Sequence, residues 1–133
     1  MKWSEKNPVY GDIIRVKVSF YYHYGIYVSD DSIIQFGLPT NVTQAAEDVK
    51  VIETDIQTFL CNGELEVATF SHSEKKKVFK PDIIVKNTRS HIGEGGYHIL
   101  HNNCEHFVNK CAFGEAKSDF LDNVRKQIKK KLG

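Results

Sequence analysis

The sequence predicts an α+β fold in which an antiparallel β-sheet packs against helices. Two observations support this prediction. Strand periodicity dominates the first half of the chain, and helical spacing of apolar residues dominates its end. A length of 133 residues is enough for one hydrophobic core. We therefore expect a single domain over residues 1–133.

The first strands form a predicted meander. Residues 12–20 (DIIRVKVSF) alternate, with Ile14, Val16, Val18 and Phe20 on one face, as in a half-buried strand. The segments YYHYGIYV and SIIQFG follow, separated by SDD, and both are rich in aromatic and β-branched residues. Residues 38–48 (LPTNVTQAAED) break this pattern and predict a surface loop.

Shorter elements follow in the middle of the chain. VKVIE (49–53) and ELEVATF (64–70) predict strands. Residues 55–63 predict one or two helical turns, with Asp55 capping the start and Gly63 ending them. SEKKK (73–77) predicts a solvated turn, and Pro81 opens a helix that runs to about His91.

Two helices are predicted at the end. From Asn103 onward, apolar residues recur at three- and four-residue spacing, at Phe107, Val108, Cys111 and Ala112. Residues 118 to about 131 predict a basic amphipathic helix within the C-terminal segment 118–133, which aligns Leu121, Val124 and Ile128 with Phe120 nearby.

Composition excludes several classes of protein. An apolar fraction of 41% and a charged fraction of 26% are typical of a globular protein. No stretch approaches the ~18 apolar residues of a membrane span, and the start lacks the apolar core of a signal peptide. Three cysteines form an odd set without a dense disulfide framework. We therefore expect a cytoplasmic protein with free thiols.

Charge is unevenly distributed. The net charge is +1, but residues 116–133 hold six Lys or Arg and two Asp, which gives this segment +4. A nucleic-acid-binding protein is normally more basic and interleaves aromatic residues with the charge, so we expect no nucleic-acid partner.

Cys104 is the candidate nucleophile. It lies in LHNNCEHFVNKC, where Asn102 or Asn103 can cap a helix and Asn102 with Glu105 resembles a capping box. A cysteine in the first helical turn is close to unpaired backbone N–H groups, which favour the thiolate and predict a lowered pKa. The polar neighbours of Cys104 argue against a core role, which we assign instead to Cys61 and Cys111.

A thiolate nucleophile needs an imidazole held by a third polar group. His23, in the predicted strand YYHYGIYV, is the candidate general base, since a strand can aim its ring at a helix start. A two-residue turn at Asp30 and Asp31 would pair residue 26 with Gln35 and put Gln35 on the face opposite His23. A three-residue loop or a bulge would put both on one face.

The block NNCEHFVN and the upstream strand HYGIYV resemble the lecithin:retinol acyltransferase-like family, whose relatives include phospholipid-metabolising thiol acyltransferases and NlpC-type papain-like hydrolases. The resemblance runs from GDIIRV to FGEAKSDFL. It implies an NlpC/papain-like fold with Cys104 as nucleophile at a helix N-terminus and His23 as general base. Animal members usually carry a histidine at the third position, where this chain has Gln35. An amide oxygen can still accept the imidazole N–H.

The resemblance implies acyl transfer or hydrolysis of lipid esters, phospholipids above all, through an acyl-thioester on Cys104. It implies no cofactor. Backbone N–H groups at the helix start would bind the oxyanion, with Tyr21 or Tyr22 as candidate side-chain donors. The basic helix at 118–133 could lie on an anionic membrane surface, although such a helix is more often an element that caps the fold with solvated lysines.

Three other functions stay open. His98, His101, Cys104 and His106 crowd nine residues, as in a zinc site, but no second ligand pair accompanies them. The same thiol and imidazole serve a cysteine peptidase or amidase. A catalytically silent binding domain would keep the fold without the reactivity.

Overall fold

The computed structural model describes residues 1–19, 21–39, 45–98 and 102–132, with the side chain of Phe120 left out. Six strands form one sheet in the order β1-β6-β2-β3-β4-β5. They are antiparallel throughout and comprise β1 Lys2–Ser4, β2 Ile13–Val18, β3 Tyr21–Ser29, β4 Ser32–Phe36, β5 Val51–Thr54 and β6 Leu65–Thr69. The predicted α+β class with an antiparallel sheet is confirmed.

The meander predicted for the first forty residues is confirmed as β2, β3 and β4. Strand β1 was not predicted, because three residues carry too little periodicity. It pairs with β6, which places Trp3 opposite Ala68. Phe20 and residues 40–44 of the predicted 38–48 loop lie outside the described residues.

Within the described residues, the sheet is accompanied by a 3-10 helix at Ala46–Asp48 and by five α-helices: α1 Ile56–Leu60, α2 His72–Lys75, α3 Pro81–Ser90, α4 Cys104–Phe113 and α5 Asp119–Leu132. Asp55 caps α1 as predicted, by accepting from the Thr58 N–H at 2.8 Å. Gly63 does not end α1, since the chain turns earlier, at Cys61, with φ +46°.

The segment SEKKK is largely exposed, as predicted, but only Lys76 and Lys77 form a turn, because its first three residues belong to helix α2. Ser71 and Glu74 form a capping box, in which the Glu74 carboxylate accepts from the Ser71 N–H at 2.8 Å. The Ser-x-x-Glu spacing is a local signal for a helix start. The helix from Pro81 is confirmed and ends at Ser90, one residue before the predicted limit.

Two buried clusters cover the two faces of the sheet. On one face, α4 packs against β3 and β4 in a cluster that includes Tyr24, Ile34, Phe107 and Cys104. On the other face, Phe59 of α1 completes a smaller cluster whose further members are Ile14, Val16, Ile33 and Val67. The central strands are therefore buried on both sides.

Candidate active site

His23 and Gln35 are brought together on one face of the sheet. A register shift between Tyr27 and Ser29 pairs Gly25 with Gln35. Because side chains alternate along β3, His23 then shares its face with Gln35. The His23 Nε2 and Gln35 Oε1 atoms are 2.7 Å apart, and both residues are buried. Of the two arrangements that the sequence left open, the structure has the bulge.

The Gln35 amide belongs to a longer hydrogen-bond chain. Gln35 Nε2 donates to Thr54 Oγ1 at 2.7 Å, and Thr54 Oγ1 donates to the Asp55 carbonyl at 3.0 Å. A hydroxyl has one proton, so Thr54 must accept from Gln35. The Gln35 oxygen therefore faces His23, and Nε2 of the neutral ring carries the hydrogen.

Phe59 forms the wall on the other side of the imidazole. The two ring centroids are 5.4 Å apart, tilted by 36°. Gly25 makes this contact possible, since a Cβ there would lie 2.7 Å from Cε1 of Phe59. A side chain at residue 25 would push the fully buried Phe59 ring away from the strand.

Burial sets the protonation state of His23. Desolvation lowers the pKa of His23 from 6.5 to about 4, against hydrogen bonds to Gln35 and to the backbone of Gly37 that raise it. The imidazole is neutral near pH 7. It can accept a proton, and its two partners favour the imidazolium that would form.

The start of α4 presents Cys104 in the first helical turn, as predicted. The cap is Asn103, whose Oδ1 accepts from the N–H groups of Glu105 and His106, each at 3.0 Å. The predicted box of Asn102 with Glu105 is wrong. The reciprocal bond comes from His106, whose Nδ1 accepts from the Asn103 N–H at 3.1 Å.

The predicted low pKa of Cys104 is wrong in direction. Burial raises the pKa of Cys104 to about 11, and the negative charge of Glu105 adds to this. Hydrogen bonds from the N–H groups of Tyr24, Cys104 and Glu105 oppose the shift. The helix start thus acts as expected, but desolvation is larger because Cys104 is only 6% exposed and lies within the core cluster.

Two consecutive residues of β3 are involved with the candidate catalytic groups: His23 carries the imidazole, and the backbone of Tyr24 contacts the Cys104 sulfur. His23 lies on the Phe59 face, whereas the sulfur is hydrogen-bonded to the N–H of Tyr24. The β4 ladder on β3 stops at the Gly25 and Gln35 pair, which leaves the strand edge beside Tyr24 to the start of α4. The sulfur therefore lies beside the peptide joining His23 to Tyr24, on the α4 face of the sheet, and within the described residues it forms no hydrogen bond with the imidazole.

Burial raises the pKa of Tyr21 and of Tyr97, and both lie close enough to Cys104 for its negative charge to add to this. Tyr21 donates its hydroxyl to the Pro39 carbonyl at 2.8 Å. The Tyr22 ring is covered by the Arg15 guanidinium, 3.7 Å from the centroid, and Arg15 also bonds Glu66. Tyr97 was missed by sequence reasoning. Its half-buried ring packs edge-on against Phe36 at 5.1 Å, and burial and the charges of Cys104 and Tyr21 raise its pKa.

Glu105 connects the start of α4 to the start of α5. Its carboxylate accepts from Ser118 Oγ at 2.6 Å and from the Asp119 N–H at 3.1 Å. The Leu121 N–H donates in turn to Ser118 Oγ at 3.3 Å, so Ser118 caps α5. Helix α5 therefore begins beside the turn that carries Cys104.

The other two cysteines differ from each other. Cys111 is buried, as predicted, but Cys61 is exposed, so its predicted place in the core is wrong. Cys61 ends α1 in a left-handed conformation that turns the chain outward.

The zinc interpretation finds no cluster to support it. Across residues 1–19, 21–39, 45–98 and 102–132, no group of three or more His, Cys, Asp or Glu is arranged to hold a metal. His101 lies outside the described residues, and the His106 ring belongs to the cap of α4.

A cysteine in the first turn of a helix, packed on an antiparallel sheet whose neighbouring strand carries a paired histidine, defines a candidate thiol-dependent site. The lecithin retinol acyltransferase family model matches residues 6–117. The chain belongs to this family.

Curated relatives agree with this assignment. Human phospholipase A and acyltransferase 3 is 26% identical over 126 residues, covering 88% of this chain and 78% of its own. Human phospholipase A and acyltransferase 1 is 30% identical over 122 residues, covering 85% and 72%. Bovine lecithin retinol acyltransferase is 26% identical over 140 residues, an alignment that covers 90% of this chain and 60% of the relative's length. By their names these relatives are acyltransferases or phospholipases, which supports an enzyme acting on lipids.

Proposed function

We propose that the protein is a cysteine-dependent acyltransferase or hydrolase of phospholipid esters that works through an acyl-thioester on Cys104. The observation that carries this proposal is the buried His23–Gln35 pair together with a Cys104 sulfur that accepts from the N–H of Tyr24, the residue after His23, in a chain of this family. We also propose that residues 1–133 form one NlpC/papain-like domain located in the cytoplasm. All three cysteines are free thiols, in keeping with a reducing compartment.

In the first step, Cys104 Sγ attacks the ester carbonyl and its proton passes to Nδ1 of His23. Nε2 keeps its hydrogen toward Gln35, which stabilises the imidazolium. The tetrahedral intermediate collapses, the C–O bond breaks, and the departing alkoxide takes the proton from Nδ1. The products are a thioester on Cys104 and a lysophospholipid.

In the second step, an amine, hydroxyl or water attacks the thioester and gives its proton to Nδ1 of His23. The C–S bond breaks, and the thiolate recovers that proton. Backbone N–H groups at the start of α4 are the proposed oxyanion donors. Tyr21 is a proposed donor beside them only after its hydroxyl releases the Pro39 carbonyl, and Tyr22 is a weaker one because Arg15 covers its ring.

This mechanism requires Nδ1 to come within hydrogen-bond reach of the sulfur. Catalytic hydrogen bonds are often long before substrate binds and tighten in the complex. The sulfur lies at the edge of β3, where it accepts from the N–H of the residue that follows His23, and this position supports an approach of the two groups around the strand edge.

The partner surface that we propose for α5 is an anionic membrane. In the described part of the chain no helix has the length and apolar character needed to cross a bilayer. Exposure along the apolar stripe of α5 rises steadily, from 5% at Leu121 to 39% at Val124, 52% at Ile128 and 83% at Leu132. The stripe is buried only where Glu105 holds the helix start, and the rest is available to a lipid surface.

The charges of α5 favour a membrane over a second copy of the chain. Residues 123–132 hold five basic and no acidic side chains. Two such helices packed through their stripes would bring ten cations together, whereas anionic headgroups would neutralise them. The helix begins beside Cys104, so binding through α5 would place the thiol close to lipid.

Incubation with phosphatidylcholine followed by intact mass measurement tests the catalytic proposal. We expect an acyl adduct that hydroxylamine removes, that is absent from Cys104→Ala, and that forms two to four orders of magnitude more slowly in His23→Ala, roughly the usual contribution of a general base. Cys61→Ala and Cys111→Ala are the matched controls and should keep the adduct.

Persistence of the adduct in Cys104→Ala would overturn the assignment of the nucleophile. Turnover of a peptide amide without reaction on phospholipid would favour a cysteine amidase. Unreactive protein with both substrates would favour a silent binding domain. Labelling with a small electrophile must be done in Cys61→Ala, because the exposed Cys61 thiol would otherwise react first.

A further inference from the structure

A chain of hydrogen bonds links the end of β5 to the imidazole of His23 through residues that the sequence motifs do not include. It runs from the Asp55 carbonyl through Thr54 Oγ1 to the Gln35 amide and ends at His23 Nε2, with distances of 3.0, 2.7 and 2.7 Å. Ile33 pairs with Thr54, so the Thr54 side chain lies on the same face as Ile33 and Gln35. The four groups therefore form one continuous chain on the Phe59 face of the sheet.

A glutamine at the third position is ambiguous by itself. Its amide can present oxygen or NH₂ to the ring, and the two orientations select opposite imidazole tautomers. Thr54 alone does not resolve this, because a hydroxyl can donate or accept. The Asp55 carbonyl takes the single hydroxyl proton of Thr54, which leaves Thr54 to accept from the amide and turns the amide oxygen toward His23.

We propose that Thr54 is a positioning residue that fixes the Gln35 amide and thereby holds His23 in the tautomer whose basic nitrogen is Nδ1. This inference rests on the proposed role of His23 as general base. It explains how glutamine serves at a position where family members usually carry histidine, since the relay supplies the direction that an amide lacks.

Two features of α1 reinforce this role. Asp55, which supplies the terminal carbonyl, is also the N-cap of α1, where its side chain accepts from the Thr58 N–H. Phe59 of the same helix packs against the His23 ring. One short helix therefore fixes both the acceptor at the end of the relay and the wall beside the imidazole.

The test is the ¹⁵N NMR spectrum of the ring of His23 near pH 7, where the low pKa keeps the ring neutral. Wild-type protein should show a protonated Nε2 and a bare Nδ1. Thr54→Val should populate the other tautomer and slow adduct formation roughly tenfold, less than the roughly 10²–10⁴-fold lost when a general base is removed outright. Thr54→Ser retains the hydroxyl and should restore both properties.

Thr69→Val is the matched control. Thr69 is also a half-buried strand threonine whose Oγ1 donates to a backbone carbonyl, that of Lys2, at 3.2 Å, but it lies in β6, on the other side of the sheet from β5. This variant should leave the His23 spectrum unchanged. An Nδ1–H tautomer in wild-type protein would overturn the inference even if Thr54→Val failed to fold. So would a Thr54→Ser protein that behaves like Thr54→Val.

The spectrum does not depend on turnover and can be recorded in Cys104→Ala. The expected tautomer there, together with no acyl adduct on wild-type protein, would support the relay and overturn the catalytic proposal alone. An Nδ1–H tautomer together with a normal acyl adduct on wild-type protein would overturn the relay and support the catalytic proposal.

Discussion

Cys104 and His23 are each held in the neutral form by burial, with pKa values of about 11 and about 4. The thiol therefore keeps its proton at neutral pH, and the imidazole is free to accept it. A resting thiolate–imidazolium pair is disfavoured, so in the proposed reaction the proton leaves sulfur as the C–S bond forms. Slow labelling of Cys104 at neutral pH is consistent with this chemistry and does not argue against it.

The buried His23 gives a measurable pH dependence of stability. The unfolded chain binds a proton at His23 near pH 6.5 and the folded chain only near pH 4. Unfolding therefore takes up a proton between these values, and stability falls as pH falls through this window. The full contribution is about 3 kcal/mol. Urea unfolding near pH 7 and near pH 4.5 should show most of this loss in wild-type protein.

His23→Gln should lose much less stability between the same two pH values, since the residue no longer titrates. His72→Gln is the control, because His72 is an exposed histidine of α2 and its removal should leave the wild-type slope in place. Equal losses in wild type and His23→Gln would show that other groups carry the acid sensitivity.

At the scale of elements, the joint between α4 and α5 depends on one buried carboxylate and one serine. Ser118→Ala removes the hydroxyl that donates to Glu105 and accepts from the Leu121 N–H. We expect a loss of about 2 kcal/mol, since a helix cap and a partner of a buried charge disappear together. Hydrogen exchange should accelerate at the backbone amides of the first turns of α5.

Ser71→Ala is the matched control for that joint. Ser71 caps α2 in the same manner, but at an exposed site whose partner Glu74 keeps other contacts. It should cost about 1 kcal/mol or less and leave exchange in α5 unchanged. Equal exchange in α5 for wild type and Ser118→Ala would show that the helix is not held through Glu105.

Sequence periodicity was sufficient for the strands of the meander and for α4 and α5, because each carries a regular apolar pattern, whereas α3 was predicted from Pro81 at its start. The relation of His23 to Gln35 was not predictable, since it depends on a bulge between Tyr27 and Ser29 that no local residue signals. The pKa of Cys104 was mispredicted for a related reason. The helix start is visible in the sequence, whereas the burial that outweighs it comes from packing α4 against strand residues such as Tyr24 and Ile34.

The partners of the imidazole show the same limit. Thr54 and Phe59 are ordinary strand and helix residues in the sequence. Thr54 contacts Gln35 because β5 pairs with β4, and Phe59 packs against His23 because α1 packs against β4. Cys61 is an apolar-looking residue that the left-handed end of α1 turns into solvent. A local signal did exist for α2, in the Ser71 to Glu74 spacing.

At the scale of the whole molecule, the proposed nucleophile and the proposed membrane-binding helix lie next to each other, because α5 begins beside the turn that carries Cys104. The apolar stripe of α5 emerges beside the turn of Cys104, and its cations surround it. If this face binds anionic lipid, the protein should sediment with vesicles in which about a third of the phosphatidylcholine is replaced by phosphatidylglycerol, and much less with phosphatidylcholine alone. Raised salt should weaken the binding, because exposed charges are screened.

Ile128→Asp and Asn123→Asp separate a lipid-facing stripe from general electrostatics. Both add one negative charge to an exposed position of α5, but Ile128 lies on the apolar stripe and Asn123 on the opposite side of the helix. Ile128→Asp should weaken vesicle binding at least roughly tenfold, since it removes buried apolar area as well as charge. Asn123→Asp should weaken it only a few-fold. Equal effects would mean that the stripe does not enter the lipid, and self-association abolished by Ile128→Asp without vesicle binding would make a second copy the occupant of this face.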